Sequence, residues 1–279
     1  MKRTILVTGS TDGIGLQTAK DLLAAGHRVV VHGRSLAKAK AASDHLGAHG
    51  AIAFDLGKPA EIRTAAEQLS GLDLGPAAPD GGLVDSVVHN AGVFFTDWER
   101  AADGVEATLS INHLGPVLLT HTLMPVFRRP DARLVFVASV AHTRAQMHWD
   151  NLDLQTGYAQ GYPAYGRSKL ANVLFATALA RRFDPAQVTS NSLHPGVVST
   201  KLLRTGFGME GPDSLQAGAA TSVHLAASAD VAGKTGLYWA RSQVTGASPL
   251  ARDEAEQERL WQWTHEVLGL DPASWQSYT

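Results

Sequence analysis

Residues Ile5-Leu6-Val7-Thr8-Gly9-Ser10-Thr11-Asp12-Gly13-Ile14-Gly15 run from a short apolar strand through three glycines into the start of a helix. A strand, a glycine-rich turn and a helix in that order form the usual cradle for a dinucleotide pyrophosphate. Gly9 permits the tight turn, Gly13 keeps side chains out of the way, and Gly15 lets helix and strand pack closely. The N–H groups of Ser10, Thr11, Asp12, Gly13 and Ile14 lie where the positive end of the new helix meets phosphate oxygens. The spacing is G-x3-G-x-G rather than G-x-G-x-x-G. Alone it marks either a nucleotide site or a tight strand–helix turn.

Outward from this stretch, apolar runs alternate with helix-like segments. Strands are expected at Ile5–Val7, Val29–Val31, Ala51–Phe54, Val84–His89, Leu134–Ala138, Val188–Leu193 and Gly236–Ala240. Helices are expected at Ile14–Ala25, Leu36–Leu46 and Pro59–Leu69, and a Gly/Pro-rich loop at Ser70–Gly82. Unbroken apolar strands in β-then-α alternation predict an α/β fold: one Rossmann-type, doubly wound parallel sheet of about seven strands with helices on both faces. Asp253 and Glu256 form a D-x-x-E capping box for a C-terminal helix over about 253–268, which Gly269 stops. Its Leu260, Trp261, Val267 and Leu268 read as a face docked on the core, with a partner-binding surface as the alternative.

The 279 residues are enough for one large domain, and no repeat or linker divides them. A formal charge of −2 provides no broad basic surface, so nucleic acid and anionic membrane are not expected partners. The chain has no cysteine, which excludes disulfides, thiolate metal sites and cysteine nucleophiles. No apolar run is long enough to cross a bilayer, and Met1-Lys2-Arg3 leads straight into a strand. A cytoplasmic protein is expected. His142 and His148 have no third ligand at convincing spacing, so no metal site is expected.

Downstream, Tyr165 and Lys169 lie four apart and share a helix face. A phenol with a reference pKa of about 10 is a poor proton carrier at neutral pH, and nearby positive charge favours its phenolate. Lowering that pKa by roughly 3 units takes about 4 kcal/mol. Ser139 ends the run Leu134–Ala138, at a strand's carboxyl end where open α/β sheets bind ligands. It either hydrogen-bonds a substrate oxygen beside Tyr165 or simply caps the next turn.

In this order, Gly9/Gly13/Gly15, Asp55-Leu56, Asn90-Ala91-Gly92, Asn112, Ser139, Tyr165/Lys169 and Pro195-Gly196 resemble the short-chain dehydrogenase/reductase family. The resemblance implies a single domain over residues 1–279. The dinucleotide motifs would fall mainly within 5–92, the catalytic residues within 112–169 and a substrate loop at about 197–220. Its catalytic set would be Asn112, Ser139, Tyr165 and Lys169, with Asn112 holding a water in a proton relay to Lys169. Asp55 and Leu56 would contact adenine, and Asn90, Ala91 and Gly92 would support the sheet and the cofactor ribose. Lys169 would bind the nicotinamide ribose beside Tyr165. Pro195, Gly196, Val198 and Thr200 would lie over the nicotinamide carboxamide. His194 is set aside as a base because Tyr165 is available. The resemblance also implies a homodimer or homotetramer through the helices of Asn112 and Tyr165. Leu170, Val173, Leu174 and Leu179 would serve that interface or only the core.

At the end of the second strand, Gly33 stands where an NAD enzyme usually carries an acid, and Arg34 follows with Ser35 beside it. A guanidinium suits a 2′-phosphate, so NADP(H) is expected, with NAD(H) the alternative. Asp12 cuts against that choice. The stretches around Ala141-His142 and Trp149–Leu152, AYGRSKLANVLF, and LHPGVVSTKLL are similar to retinol dehydrogenases and protochlorophyllide reductase-like proteins. That similarity implies a bulky apolar alcohol or carbonyl as substrate. Residues 201–209 read either as a mobile lid or as a structured, inert loop, with His142, His148 and Trp149 as pocket candidates. Arg204 is a potential partner for an acidic substrate. The alternative reading is a cofactor-bound sensor or scaffold without turnover.

Overall fold

Alternating pleat directions explain why several strands are apolar on both sides. In the computed structural model, which describes residues 2–76 and 81–278, Ile5 and Val7 of β1 (Thr4–Val7) point to one face and Leu6 to the other. The same split separates Val135 and Val137 from Leu134 and Phe136 in β5 (Ala132–Val137). Each face needs its own helical cover, and the chain supplies both.

The sheet has eight strands in the order β3-β2-β1-β4-β5-β6-β7-β8. Besides β1 and β5 these are β2 (Arg28–Gly33), β3 (Gly50–Ala53), β4 (Ser86–His89), β6 (Val188–His194), β7 (Tyr238–Ala240) and β8 (Gln243–Thr245). All neighbours pair parallel except β7 and β8. One strand more than expected is therefore present. It was hidden because Arg241 and Ser242, both at positive φ, make a hairpin turn without the Asn-Gly or Asp-Gly signature.

Ten α-helices surround the sheet among the described residues. They are α1 (Gly13–Ala24), α2 (Leu36–Leu46), α3 (Pro59–Ile62), α4 (Ala65–Ser70), α5 (Ala107–Leu109), α6 (Gly115–Leu123), α7 (Tyr162–Ala180), α8 (Lys201–Phe207), α9 (Leu215–Ala227) and α10 (Glu254–Leu268). The helix expected at Pro59–Leu69 breaks into α3 and α4. The Gly/Pro-rich loop of residues 70–82 lies partly outside the described residues. A π-helical turn, Ser110–Leu114, joins α5 to α6.

Asp253 caps α10 as expected, accepting from the N–H groups of Ala255 and Glu256. The capping box is half made, because the Glu256 carboxylate accepts instead from Trp149 Nε1 at 3.0 Å. Helix α10 lies against α7. Trp261 stacks on Phe175 with ring centres 5.3 Å apart, and Arg182 covers the indole at 3.7 Å. Leu170, Val173, Leu174 and Leu179 are all buried inside the chain's own core.

Trp261→Ala is expected to cost about 3–5 kcal/mol, because it opens a cavity between α7 and α10. Leu36→Ala, at a half-exposed side chain, should stay within about 0.5 kcal/mol. Urea unfolding of the two variants checks the contrast.

Candidate active site

The carboxyl ends of six strands, β1 to β6, meet at one edge of the sheet, and a cavity of about 500 Å³ opens above them. Parallel strands bring their carboxyl ends to one side, and the sheet order reverses between β1 and β4, which makes a crevice there.

The floor is the glycine turn. Gly15 is forced by packing: a Cβ there would sit 2.3 Å from the Gly9 carbonyl oxygen and 2.4 Å from Asn90 Nδ2. Gly13 differs, since a Cβ at its φ of +56° would project beside Thr200 with no atom nearer than 3.7 Å. Its bareness leaves room at the start of α1, where first-turn N–H groups have no helical carbonyl to bind. Thr11, Asp12 and Ile14 line the same cleft. The Asp12 carboxylate caps α1, accepting from Gly13 N–H at 2.7 Å.

Ser10 faces elsewhere. It is fully buried, donates to the Val7 carbonyl at 2.7 Å and accepts from His32 N–H at 3.0 Å, so it pins β1 to β2 behind the cleft. Ser35 is also outside the cleft, exposed at the residue preceding α2. Arg34 lines the cleft, and its guanidinium makes no ion pair among the described residues. Gly33 is bare for a steric reason: a Cβ would lie 2.7 Å from Thr11 Cγ2.

Asp55, Leu56, Asn90, Ala91 and Gly92 form the next wall. Asn90 donates to the carbonyls of Thr8 and Gly9 at 2.9 and 3.3 Å, so its amide braces the turn. His32 was not anticipated. Its Nδ1 accepts from Gly9 N–H at 3.1 Å, and its Nε2 meets the Phe54 carbonyl at 3.1 Å. Burial pushes its pKa down to about 4, and the neutral ring ties the glycine turn to β2 and β3. Pro195, Gly196, Val198 and Thr200 close the far side. Asp213, also unanticipated, shapes that loop by accepting from Val197 N–H at 2.7 Å.

Ser139, Tyr165 and Lys169 line the same cavity. Ser139 both caps and faces the cleft: its hydroxyl accepts from Ala141 N–H at 3.2 Å and lines the same wall as the Tyr165 phenol. Lys169 is 3% exposed, donates to the Val137 carbonyl at 3.0 Å, and sits 5.5 Å from the centre of the Tyr165 ring. Burial moves the two groups in opposite directions. The phenol is pushed up to about 12, with the Ser139 hydrogen bond opposing, and the ammonium is pushed down to about 8. In the chain by itself, desolvation outweighs the Ser139 hydroxyl and keeps the phenol high.

Asn112 sits in the π-helical turn behind Gly92, outside the cavity wall. Its Oδ1 accepts from Val93 N–H at 2.7 Å, and its Nδ2 donates to the Val93 carbonyl and to Ser168 Oγ. Both N–H bonds of the amide are engaged, which leaves acceptor capacity on Oδ1 beside Gly92 and near Lys169 Nζ.

Aromatic rings wall the mouth. Phe207 of α8 meets Tyr165 edge-on at 5.2 Å and Phe94 at 4.6 Å, and Phe94 lies 5.6 Å from Tyr165. Gly206 makes this possible, since a Cβ would press into the Phe94 ring at 2.8 Å. Leu202, Leu203 and Val140 add apolar surface, and Lys201 a charge. Arg204 is exposed and turned away onto the Ser199 carbonyl. His142, His148 and Trp149 lie off the cavity: His142 is buried in a hydrogen-bond pair, His148 is exposed, and Trp149 reaches α10. His194 lines the cleft and accepts from Val140 N–H at 3.3 Å. Among the described residues no cluster of three His, Asp or Glu gathers, and no helix is long and apolar enough to cross a membrane.

A sheet with this edge, carrying these groups, defines a dinucleotide-binding α/β protein. A sequence profile described as short chain dehydrogenase matches residues 3–210, and the chain belongs to that oxidoreductase family. Within it the chain falls in the retinol dehydrogenase-like branch. It is 33% identical over 282 residues to retinol dehydrogenase 12 of Bos taurus, spanning 96% of this chain and 87% of that protein. An uncharacterized Mycobacterium paratuberculosis protein superposes with a TM-score of 0.78 at 24% identity, over 96% of this chain and 94% of its own. A Shigella flexneri 2a short chain dehydrogenase, solved with NADP, superposes at 0.69 and 22% identity, over 86% and 97%.

The depressed Lys169 pKa has a consequence for stability. Between about 8 and the ordinary 10.5 the folded chain binds fewer protons than the unfolded one, so stability rises with pH across that window. Lys169→Met should therefore raise stability at pH 7 by on the order of 1–3 kcal/mol. The gain should shrink toward zero once pH passes 10.5. Denaturant unfolding at both pH values measures it, and a variant less stable at pH 7 would show that the Val137 hydrogen bond outweighs desolvation.

Proposed function

We propose that the protein is an NADP(H)-dependent oxidoreductase that interconverts a bulky apolar alcohol with its ketone or aldehyde. The observation that carries this reading is one cavity lined both by the glycine turn and by Tyr165, Lys169 and Ser139. The bare Gly13 beside unsatisfied helix N–H groups fits a pyrophosphate, and small Ala91 and Gly92 fit a close-lying ribose. When bound there, the cofactor supplies the hydride acceptor or donor.

The chain's own groups handle the oxygen and its proton. Ser139 donates a hydrogen bond to the substrate oxygen and holds it beside the phenol. Tyr165 carries the transferred proton on its hydroxyl, giving it to the carbonyl oxygen in reduction and accepting it in oxidation. Lys169 favours the phenolate at the moment the proton leaves and binds the nicotinamide ribose. Asn112, with an acceptor site near Lys169, supports the path by which that proton returns. The ring cluster of Phe94 and Phe207 excludes water and favours an apolar body, in keeping with the apolar alcohol in the name of the bovine relative. Gly33 leaves no room for the acid that would hold ribose hydroxyls, and Arg34 offers its free guanidinium to a 2′-phosphate.

Tyr165→Phe is expected to cut turnover of an apolar aldehyde by about 10²–10⁴-fold while NADPH affinity stays nearly unchanged. Equal loss of cofactor binding, followed by NADPH fluorescence titration, would contradict the assigned role.

Arg34→Ala should weaken NADPH roughly 10- to 150-fold, as loss of a charge-assisted contact of about 1.5–3 kcal/mol implies, and NADH far less. Equal weakening of both, or a wild-type preference for NADH, would overturn the cofactor assignment.

A further inference from the structure

The sharp turn after β5 is held by a histidine that the chemistry above does not use. His142 is fully buried, and each ring nitrogen has one main-chain partner. Nδ1 lies 2.7 Å from the Ser139 carbonyl oxygen. Nε2 lies 3.1 Å from the backbone nitrogen of Ser248, more than a hundred residues away along the chain. An N–H can only donate, so Nε2 is the bare acceptor nitrogen. The neutral ring then carries its proton on Nδ1 and gives it to the Ser139 carbonyl. Burial disfavours the charged ring, in agreement with that tautomer. Tyr238 packs against the imidazole with ring centres 4.7 Å apart, which fixes its plane.

Beyond Ser248 the connection continues. Ser248 Oγ accepts from Ala251 N–H at 3.2 Å, and the Ala251 carbonyl accepts from Gln257 Nε2 at 2.8 Å. Gln257 belongs to α10. On the other side, the hydroxyl of Ser139 is aimed by Ala141 N–H, within the turn whose first carbonyl His142 holds.

We propose that His142 is the positioning residue for Ser139, a neutral link through which the segment leading into α10 sets the direction of the Ser139 hydroxyl. The proposal rests on the reading that Ser139 orients the substrate oxygen. It identifies a residue that touches neither substrate nor cofactor and yet governs kcat.

A double-mutant cycle tests it, with an apolar aldehyde and NADPH as substrates. His142→Ala should lower kcat about 10- to 100-fold, the scale of a misplaced group, with the NADPH dissociation constant unchanged. On a Ser139→Ala background the same change should cost less than about twofold, because the group that His142 positions is already gone. His142→Asn places an amide N–H close to the position of Nδ1 and should restore most of kcat. His142→Gln restores only an acceptor toward Ser248 and should not. Imidazole 15N shifts of the wild-type protein give an activity-independent reading, in which the Nδ1–H tautomer is expected.

Equal fold-losses in the wild-type and Ser139→Ala backgrounds would overturn the proposal, as would an Nε2–H tautomer or equal rescue by Asn and Gln. Those results would leave the oxidoreductase reading intact. A Ser139→Ala variant with full kcat would instead defeat the role of Ser139 and the proposal with it. If His142→Ala does not fold, the Asn and Gln variants still decide, since each keeps one of the two contacts.

Discussion

The Lys169 ammonium is held 3% exposed against one main-chain carbonyl, that of Val137 at the end of β5. An ammonium in such a place gives up most of its hydration, and much of the surrounding structure accommodates it. Gly92 leaves space beside it, because a Cβ there would come within 3.2 Å of Nζ. The chain departs from regular helix at Ser110–Leu114, which sets Asn112 behind Gly92. Helix α7 must be gripped so that Lys169 cannot swing toward water. Sixteen of its residues, from Ala164 through Ala180 with the exception of Thr177, are buried. π-Helical turns recur at functional sites because they re-aim one side chain without ending the helix.

Burial alone drives Tyr165 and Lys169 toward their neutral forms, the phenol up to about 12 and the amine down to about 8. Under the proposed function this poises the pair for the reductive direction, in which Tyr165 must hold a proton before giving it away. Oxidation needs the phenolate, and the Ser139 hydroxyl acts against burial to favour that form. Its single proton serves either the phenolate or the substrate oxygen at a given moment, so the direction of that one hydroxyl weighs on turnover.

Much of the sheet was legible because both of its faces are covered. Runs such as Leu134-Val135-Phe136-Val137 have no polar face to blur the signal, and their order implied the parallel pairing. The short edge strand β8 was not legible, since its three residues are exposed and its turn residues carry no hairpin signature. Within the site, residues directly after strands were readable, because a parallel sheet gathers those positions at one edge. Ser10 misled for a local reason: it belongs to the glycine turn in sequence but points into the sheet, bonded to Val7 and His32. His32, Phe94 and Asp213 act through partners that lie far off in the chain or on other elements, and no spacing rule encodes such contacts.

The far end of the chain shows how distant these dependencies reach. Helix α7 is buried almost all round, so the face turned away from the sheet needs a cover, and α10 supplies it. Trp261 stacks on Phe175, Trp275 donates to His265 Nε2, and His265 in turn bonds the Trp261 carbonyl, so the last turns of the chain lock onto α10 before α10 locks onto α7. From the start of α10, Gln257 reaches back to Ala251, and the path through Ser248 and His142 ends at Ser139. The same C-terminal segment therefore braces α7, which carries Tyr165 and Lys169, and the turn that carries Ser139. Those groups come from two elements, and their common reference is a helix nearly ninety residues after Lys169. A fold that must hold a phenol, a hydroxyl and a buried ammonium in register gains from tying both supports to one rigid body, since independent motion of either would separate the groups.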